Sequence, residues 1–166
     1  QKTAYEILTC DWSSDVCSSD LVKEKFIDAY MKVAETFAEL STARRLHVGA
    51  IVVKDDRIIS IGYNGMPSGW TNDCEDLVVY RKEIEPGVFN NEYTHEWKTK
   101  PEVLHAETNA IAKLAKSTES GDDATMFITH SPCLDCAKLI FQSGIKSVYY
   151  RNTYRSEDGI EFLKKC

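Results

Sequence analysis

The sequence predicts a three-layer α/β/α sandwich with a mixed central sheet. Three observations predict it. Apolar residues recur at helical spacing early in the chain; two short apolar runs then flank a charged turn; helical and strand-like segments alternate from there to the end. At 166 residues the chain suits one domain with a real core.

Residues 1–20 read as a non-native or disordered leader. There, Ser13-Ser14-Asp15-Val16-Cys17 is nearly echoed by Ser18-Ser19-Asp20-Leu21, and Cys10 and Cys17 are set aside from site reasoning. The domain is read over 21–166. From Leu21 to Ser41, the spacing of Phe26, Tyr30, Val33, Phe37 and Leu40 predicts a long amphipathic helix. Val48–Val53 and Arg57–Gly62 flank Lys54-Asp55-Asp56 and predict a hairpin. Tyr63–Gly69 is a loop rich in turn formers. Residues 70–100 are polar and aromatic without steady period. They read as an insertion, with one short helix near Asp76 to Lys82.

Pro101 precedes a helix whose core face includes Ala110, Ile111 and Leu114. Thr125–Thr129 is apolar and β-prone between Gly121 and Pro132, hence a strand. Ser131 and Pro132 read as the N-cap and first position of the next helix. A strand from Lys146 to Tyr150 and a last helix follow. The chain stops inside or just after that helix, so the last strand of the sheet is expected to be missing.

Two motifs carry the chemistry. His105-Ala106-Glu107 is an H-x-E triplet, which chance alone places in roughly one chain in five of this size. Pro132-Cys133-Leu134-Asp135-Cys136 is P-C-x-x-C, expected in only a few per thousand chains. Together they offer one imidazole, two thiolates and a carboxylate that need not bind metal. Zinc takes such ligands tetrahedrally, and a catalytic site keeps three protein ligands and one open position. Cys133 and Cys136, three apart at a helix start, share a face, and the positive helix end favours their thiolates. A redox reading of the cysteine pair leaves His105 and Glu107 without a role. A structural zinc ribbon needs a fourth soft ligand, and none is spaced to supply it.

Bulk properties narrow the class. Net charge is −6, which argues against a protein that grips nucleic-acid backbones and for a small substrate. No apolar run approaches a membrane span. Six cysteines without a signal peptide point to a reducing compartment, the cytoplasm, and to metal chemistry over disulfides.

H-x-E … P-C-x-x-C is the known signature of zinc deaminases of cytosine and adenine. In motif and element order the chain resembles the cytidine/deoxycytidylate deaminase superfamily. Within it, the chain looks most like the deoxycytidylate (dCMP) deaminases of tailed bacteriophages. The residues that carry this are Gly62-Tyr63-Asn64-Gly65 with Pro67 and Gly69, His105-Ala106-Glu107, Ser131 to Cys136, and Tyr149-Tyr150 leading to Tyr154.

The resemblance implies a cytidine deaminase-like sandwich and zinc-dependent hydrolysis of dCMP to dUMP and ammonia. It assigns zinc to His105, Cys133 and Cys136, proton transfer to Glu107, and substrate contacts to Asn64, Ser131 and Tyr154. The phosphate needs cationic donors; Arg44, Arg45, Arg151 and Arg155 are candidates that the sequence does not rank. A second, structural zinc at Cys74, His95 and Glu102 is implied by some phage relatives. Also implied are control by dCTP and dTTP with Mg2+ at the Gly62–Gly65 loop, and a hexamer. Other readings are a tRNA adenosine deaminase, a nucleoside cytidine deaminase, and a non-catalytic zinc-stabilised binding module. The charge counts against the first, His105 (commonly cysteine in the second) against the second, and Glu107 against the third.

Overall fold

Strand alternation and two close helix–sheet contacts organise the fold. The computed structural model describes residues 6–9 and 24–166. In order these form β1 (Glu6–Thr9), α1 (Glu24–Ala38), β2 (Gly49–Lys54), β3 (Arg57–Tyr63), β4 (Glu75–Glu85), β5 (Val88–Thr99), α2 (Ala106–Leu114), β6 (Thr125–His130), α3 (Leu134–Gln142), β7 (Ser147–Asn152) and α4 (Asp158–Lys164). A five-stranded sheet runs β1-β7-β6-β2-β3, and β4-β5 form a separate pair. β6 and β7 are parallel, while the other neighbours in the sheet are antiparallel, so the sheet is mixed as expected.

Side chains alternate across each strand. Ala50, Val52, Met126, Ile128, Val148 and Tyr150 face α2, α3 and α4 on one side. Ile51, Val53, Phe127 and Tyr149 face α1 on the other. This is the predicted three-layer arrangement.

The hairpin of β2 and β3 turns at Asp55 and Asp56, both at positive φ (50° and 57°), the two-residue geometry that matches strand twist. Beside it two glycines let a helix sit close to each face. A Cβ on Gly49 would lie 2.0 Å from the Ala34 carbonyl oxygen, and one on Gly62 would lie 2.1 Å from that of Ala106. Small residues answer them: Ala34 and Ala38 on α1, Ala106 and Ala110 on α2, all buried. The seam of α1 is therefore Met31, Ala34 and Ala38, with Tyr30, Val33 and Phe37 partly buried beside it. Leu40 lies past the helix and is 55% exposed, against the spacing that placed it on the buried stripe.

One further expectation meets a different structure, and two others are filled in. Within the segment read as a leader, Glu6–Thr9 pairs antiparallel with β7; residues 1–5 and 10–23, including Cys10 and Cys17, lie outside the described residues. No strand follows β7, and the sheet edge beside it is taken by β1. The insertion holds no helix at 76–82. It is a long hairpin that turns at Pro86-Gly87, with Gly87 at φ 81°. The run Leu77-Val78-Val79-Tyr80 is strand-prone, and the Pro-Gly pair suits a two-residue turn.

Candidate metal centre and cavity

Two helix starts meet at the edge of the sheet. His105 occupies the N-cap of α2 with extended backbone (φ −74°, ψ 153°), and Cys133 the N-cap of α3 (φ −70°, ψ 168°). Cys136 lies in the first turn of α3 and is buried. The close contact at Gly62 fixes α2 against β3, reinforced by bonds from Ser60 Oγ to the Ala110 carbonyl (2.7 Å) and from Asn109 Nδ2 to the Tyr63 carbonyl (3.0 Å). The Pro132-Cys133 segment is fixed by α4. A Cβ on Gly159 would lie 2.1 Å from the Pro132 carbonyl oxygen.

The helix starts two residues later than Ser131-Pro132 implied. The Ser131 hydroxyl is not a cap: it accepts the Tyr154 N–H at 2.8 Å, and the Ser131 N–H goes to the Asn152 carbonyl. Pro132 and Cys133 stay outside the helix, with Cys133 extended at the cap, its sulfur beside His105.

Among the described residues, His105, Cys133 and Cys136 are the group of three whose ligand atoms converge, all within 4.8 Å of one another. His105 Nδ1 lies 3.6 Å from Cys133 Sγ and 3.4 Å from Cys136 Sγ. A tetrahedral zinc with Zn–S of about 2.3 Å and Zn–N of about 2.0 Å separates nitrogen from sulfur by about 3.5 Å. The donors thus fit zinc in type and spacing.

The electrostatics agree. Hydrogen bonds from Cys136 and His105 bring the Cys133 thiol down to about 4. That thiolate, together with burial, pushes Cys136 up, so the metal-free pair shares a proton. Bonding to Cys133 likewise raises His105. Glu107 is only 4% exposed, and burial raises its carboxyl to about 7, against His105 and Cys136, which pull it down. A carboxyl near neutrality can both accept and return a proton.

His105, Glu107 and Cys133 open on a cavity of about 450 Å³ that Asn64, Ser131 and Tyr154 also line. That volume suits a small ligand. Asn64 is heavily used within the fold: its Oδ1 accepts the Val48 N–H and its Nδ2 donates to the Leu46 carbonyl, both at 2.8 Å. One amide proton is left for a ligand. Tyr154 is 38% exposed at the cavity, with the Arg155 guanidinium 5.7 Å from its ring centre.

The structure ranks the arginines. Arg45 and Arg155 line the cavity. Arg44 instead stacks 4.8 Å over Trp97, and Arg151 pairs with Glu35 of α1 on the other side of the sheet. Sequence reasoning missed Glu75, Thr99 and His130. The buried Glu75 carboxylate accepts the Arg44 N–H at 3.0 Å and the Arg45 N–H at 3.3 Å, and Thr99 Oγ1 accepts from Arg45 Nη1 at 3.2 Å. Together they hold Arg45 at the cavity. His130 also lines it, its Nδ1 3.1 Å from Thr129 Oγ1, and burial lowers its pKa. A histidine at a strand end carries no sequence signal of its own.

The second zinc set does not assemble. Cys74 is buried, its Sγ 3.4 Å from Thr42 Oγ1, while His95 and Glu102 are exposed. Glu75 pairs with Thr99 but His95 pairs with Val79, which places His95 four residues up the ladder from the Cys74 end, on the order of 13 Å away. The donor types are right and the distances are not.

Residues 24–152 match the family profile described as the cytidine and deoxycytidylate deaminase zinc-binding region. The chain is 35% identical over 154 residues to the deoxycytidylate deaminase of Enterobacteria phage T4, covering 75% of this chain and 76% of that one. It is 36% identical over 122 residues to the human deoxycytidylate deaminase, covering 73% of this chain and 61% of that one. Among solved structures it resembles the dCMP deaminase of cyanophage S-TIM5 in complex with dCMP and dUMP. The TM-score is 0.72 and the identity 48%, over 87% of this chain and 94% of that one.

Proposed function

The chain belongs to the cytidine and deoxycytidylate deaminase family, and on that footing we propose that it hydrolyses dCMP to dUMP and ammonia. The observation that carries the reading is a zinc-spaced His105, Cys133 and Cys136 beside a buried Glu107, at the wall of one small-ligand cavity. Zinc held there supplies Lewis-acid activation of water near neutral pH. Glu107 takes the proton of the attacking water, delivers it to N3 of the cytosine, and assists departure of the amine as ammonia. Water adds its oxygen at C4, the C4–N4 bond breaks, and uracil remains.

Other residues hold the nucleotide. Tyr154 lies against the pyrimidine, and Ser131 braces it through the Tyr154 N–H. Asn64 offers its remaining amide proton to the sugar 3′-hydroxyl. Arg45 and Arg155 take the 5′-phosphate; the other two arginines are engaged elsewhere. The resemblance further supports control by dCTP and dTTP with Mg2+ at Gly62–Gly65, where the end of β3 passes into the following loop, a hexamer, and a cytoplasmic setting. Among the described residues no helix is long and apolar enough to cross a membrane.

The test is ammonia release from dCMP, deoxycytidine, cytidine and an RNA hairpin in parallel. Charge-assisted bonds to phosphate are each worth ~1.5–3 kcal/mol, so dCMP should exceed deoxycytidine by at least ~10-fold in kcat/KM. Equal use of both, or a preference for RNA, refutes the substrate assignment.

A further inference from the structure

His130 closes β6 at its carboxyl end, where the strand reaches the cavity. Strand alternation puts it on the face of Met126 and Ile128, the side of the sheet that α2 and α3 cover. In α/β sheets ligands bind outside the carboxyl ends of strands. The backbone is pinned on both sides of His130. Asn152 Nδ2 donates to the Thr129 carbonyl (3.0 Å), and the Ser131 N–H donates to the Asn152 carbonyl (2.8 Å). The ring is pinned too. Its Nδ1 lies 3.1 Å from Thr129 Oγ1, and that hydroxyl already accepts the Gly49 N–H at 3.2 Å. Thr129 is buried, so its own proton needs an acceptor, and among the described residues Nδ1 is the one beside it. Nδ1 therefore accepts, and the ring carries its proton on Nε2. Burial lowers the pKa of His130, so the ring is neutral at pH 7. Among the described residues no group takes the Nε2–H.

We propose that His130 is a substrate-binding residue whose Nε2–H donates to an oxygen of the bound nucleotide. The inference rests on the reading of the cavity as a dCMP site. A neutral N–H that only donates selects an acceptor, and it turns the 4-amino group, itself a donor, to another wall. Glu107 serves N3, which leaves the oxygens of the phosphate, the sugar and the C2 carbonyl: one acceptor chemistry in three places. Thr129 fixes the proton and Asn152 fixes the backbone, so the donor is set before substrate arrives and binding need not order it. A ring free to exchange its proton between the two nitrogens would present that donor only part of the time.

The test compares His130→Phe, which keeps a ring but has no N–H, with His130→Gln, which restores an N–H donor on a side chain of similar reach. Both should keep the zinc content and melting of the wild type. His130→Phe should lose ~5–50-fold in kcat/KM, and His130→Gln should regain most of it. Loss on dCMP alone assigns the acceptor to the phosphate, and equal loss on deoxycytidine assigns it to the sugar or the base. No loss on either substrate overturns the proposal. Nitrogen-15 NMR of the wild type reads the same contact without turnover. The His130 proton should sit on Nε2, and saturating dUMP should shift that nitrogen. A proton on Nδ1, or an Nε2 unmoved by dUMP, overturns the proposal even where the variants fail to fold. A wild type that shows the shift yet releases no ammonia from dCMP defeats the proposed reaction and leaves the His130 contact standing.

Discussion

Adding one methyl group at Gly62, a residue that touches no metal, should disable the metal centre. The added Cβ would lie 2.1 Å from the Ala106 carbonyl oxygen and 2.6 Å from the Ala110 nitrogen, both backbone atoms of α2. Relief to ordinary contact needs a displacement on the order of 1 Å. The same strand holds α2 through Ser60 and Asn109, so the helix cannot move without straining those bonds. Overpacking costs about 1–3 kcal/mol and a weakened hydrogen bond about 1 more. Together these lower the melting temperature by ~5–15 °C for a domain of this size. His105 caps the displaced helix, and metal–ligand distances tolerate only about 0.2 Å, so zinc affinity should fall at least ~10-fold. The assay is thermal melting with competition for zinc by a chromogenic chelator. Gly65→Ala is the control, since nothing lies within 4 Å of its added Cβ. A Gly62→Ala protein that melts with the wild type and holds zinc equally would show that the helix–strand contact does not position the site.

Other expectations follow from the same geometry. Arg45→Ala and Arg155→Ala should each lower kcat/KM for dCMP by ~10–100-fold and leave deoxycytidine nearly unchanged; equal loss on both substrates speaks against a phosphate role. Glu107→Gln should keep zinc and nucleotide affinity while kcat drops by at least ~10²; a tenth of wild-type turnover would remove Glu107 as the proton carrier. In the metal-free site Cys136, His105 and Glu107 are all raised, so each holds its proton to higher pH than it would in water. Zinc needs the thiolates and a neutral imidazole, so binding at pH 7 should release more than one proton, and apparent affinity should rise with pH through and beyond neutrality. Calorimetry in two buffers of different ionisation heat reads this directly, and no net release would contradict it.

The sequence showed most clearly what local chemistry dictates. The hairpin was legible because both flanking runs are apolar and Asp55-Asp56 tolerate positive φ. The ligand triad was legible because its types and spacing are rare together. The β4–β5 arm was not, since bulges at Arg81–Glu83 and Glu83–Glu85 interrupt the alternation and polar residues dominate its length. The start of α3 was misplaced because Ser131 serves a distant partner, Tyr154, which no local pattern announces. The arginines could not be ranked until strand faces were assigned. Tyr149 faces α1, and Arg151, two residues on, faces α1 with it. The second zinc failed on distance, which donor types do not encode.

Conversion of dCMP to dUMP by metal-stripped protein, followed as zinc is added back, tests the central claim most directly. Turnover should be absent without metal, rise linearly, and reach its plateau at one zinc per chain, with one ammonia released per dUMP. Deamination by the metal-free protein, or a fully zinc-loaded protein that leaves dCMP untouched, would contradict it.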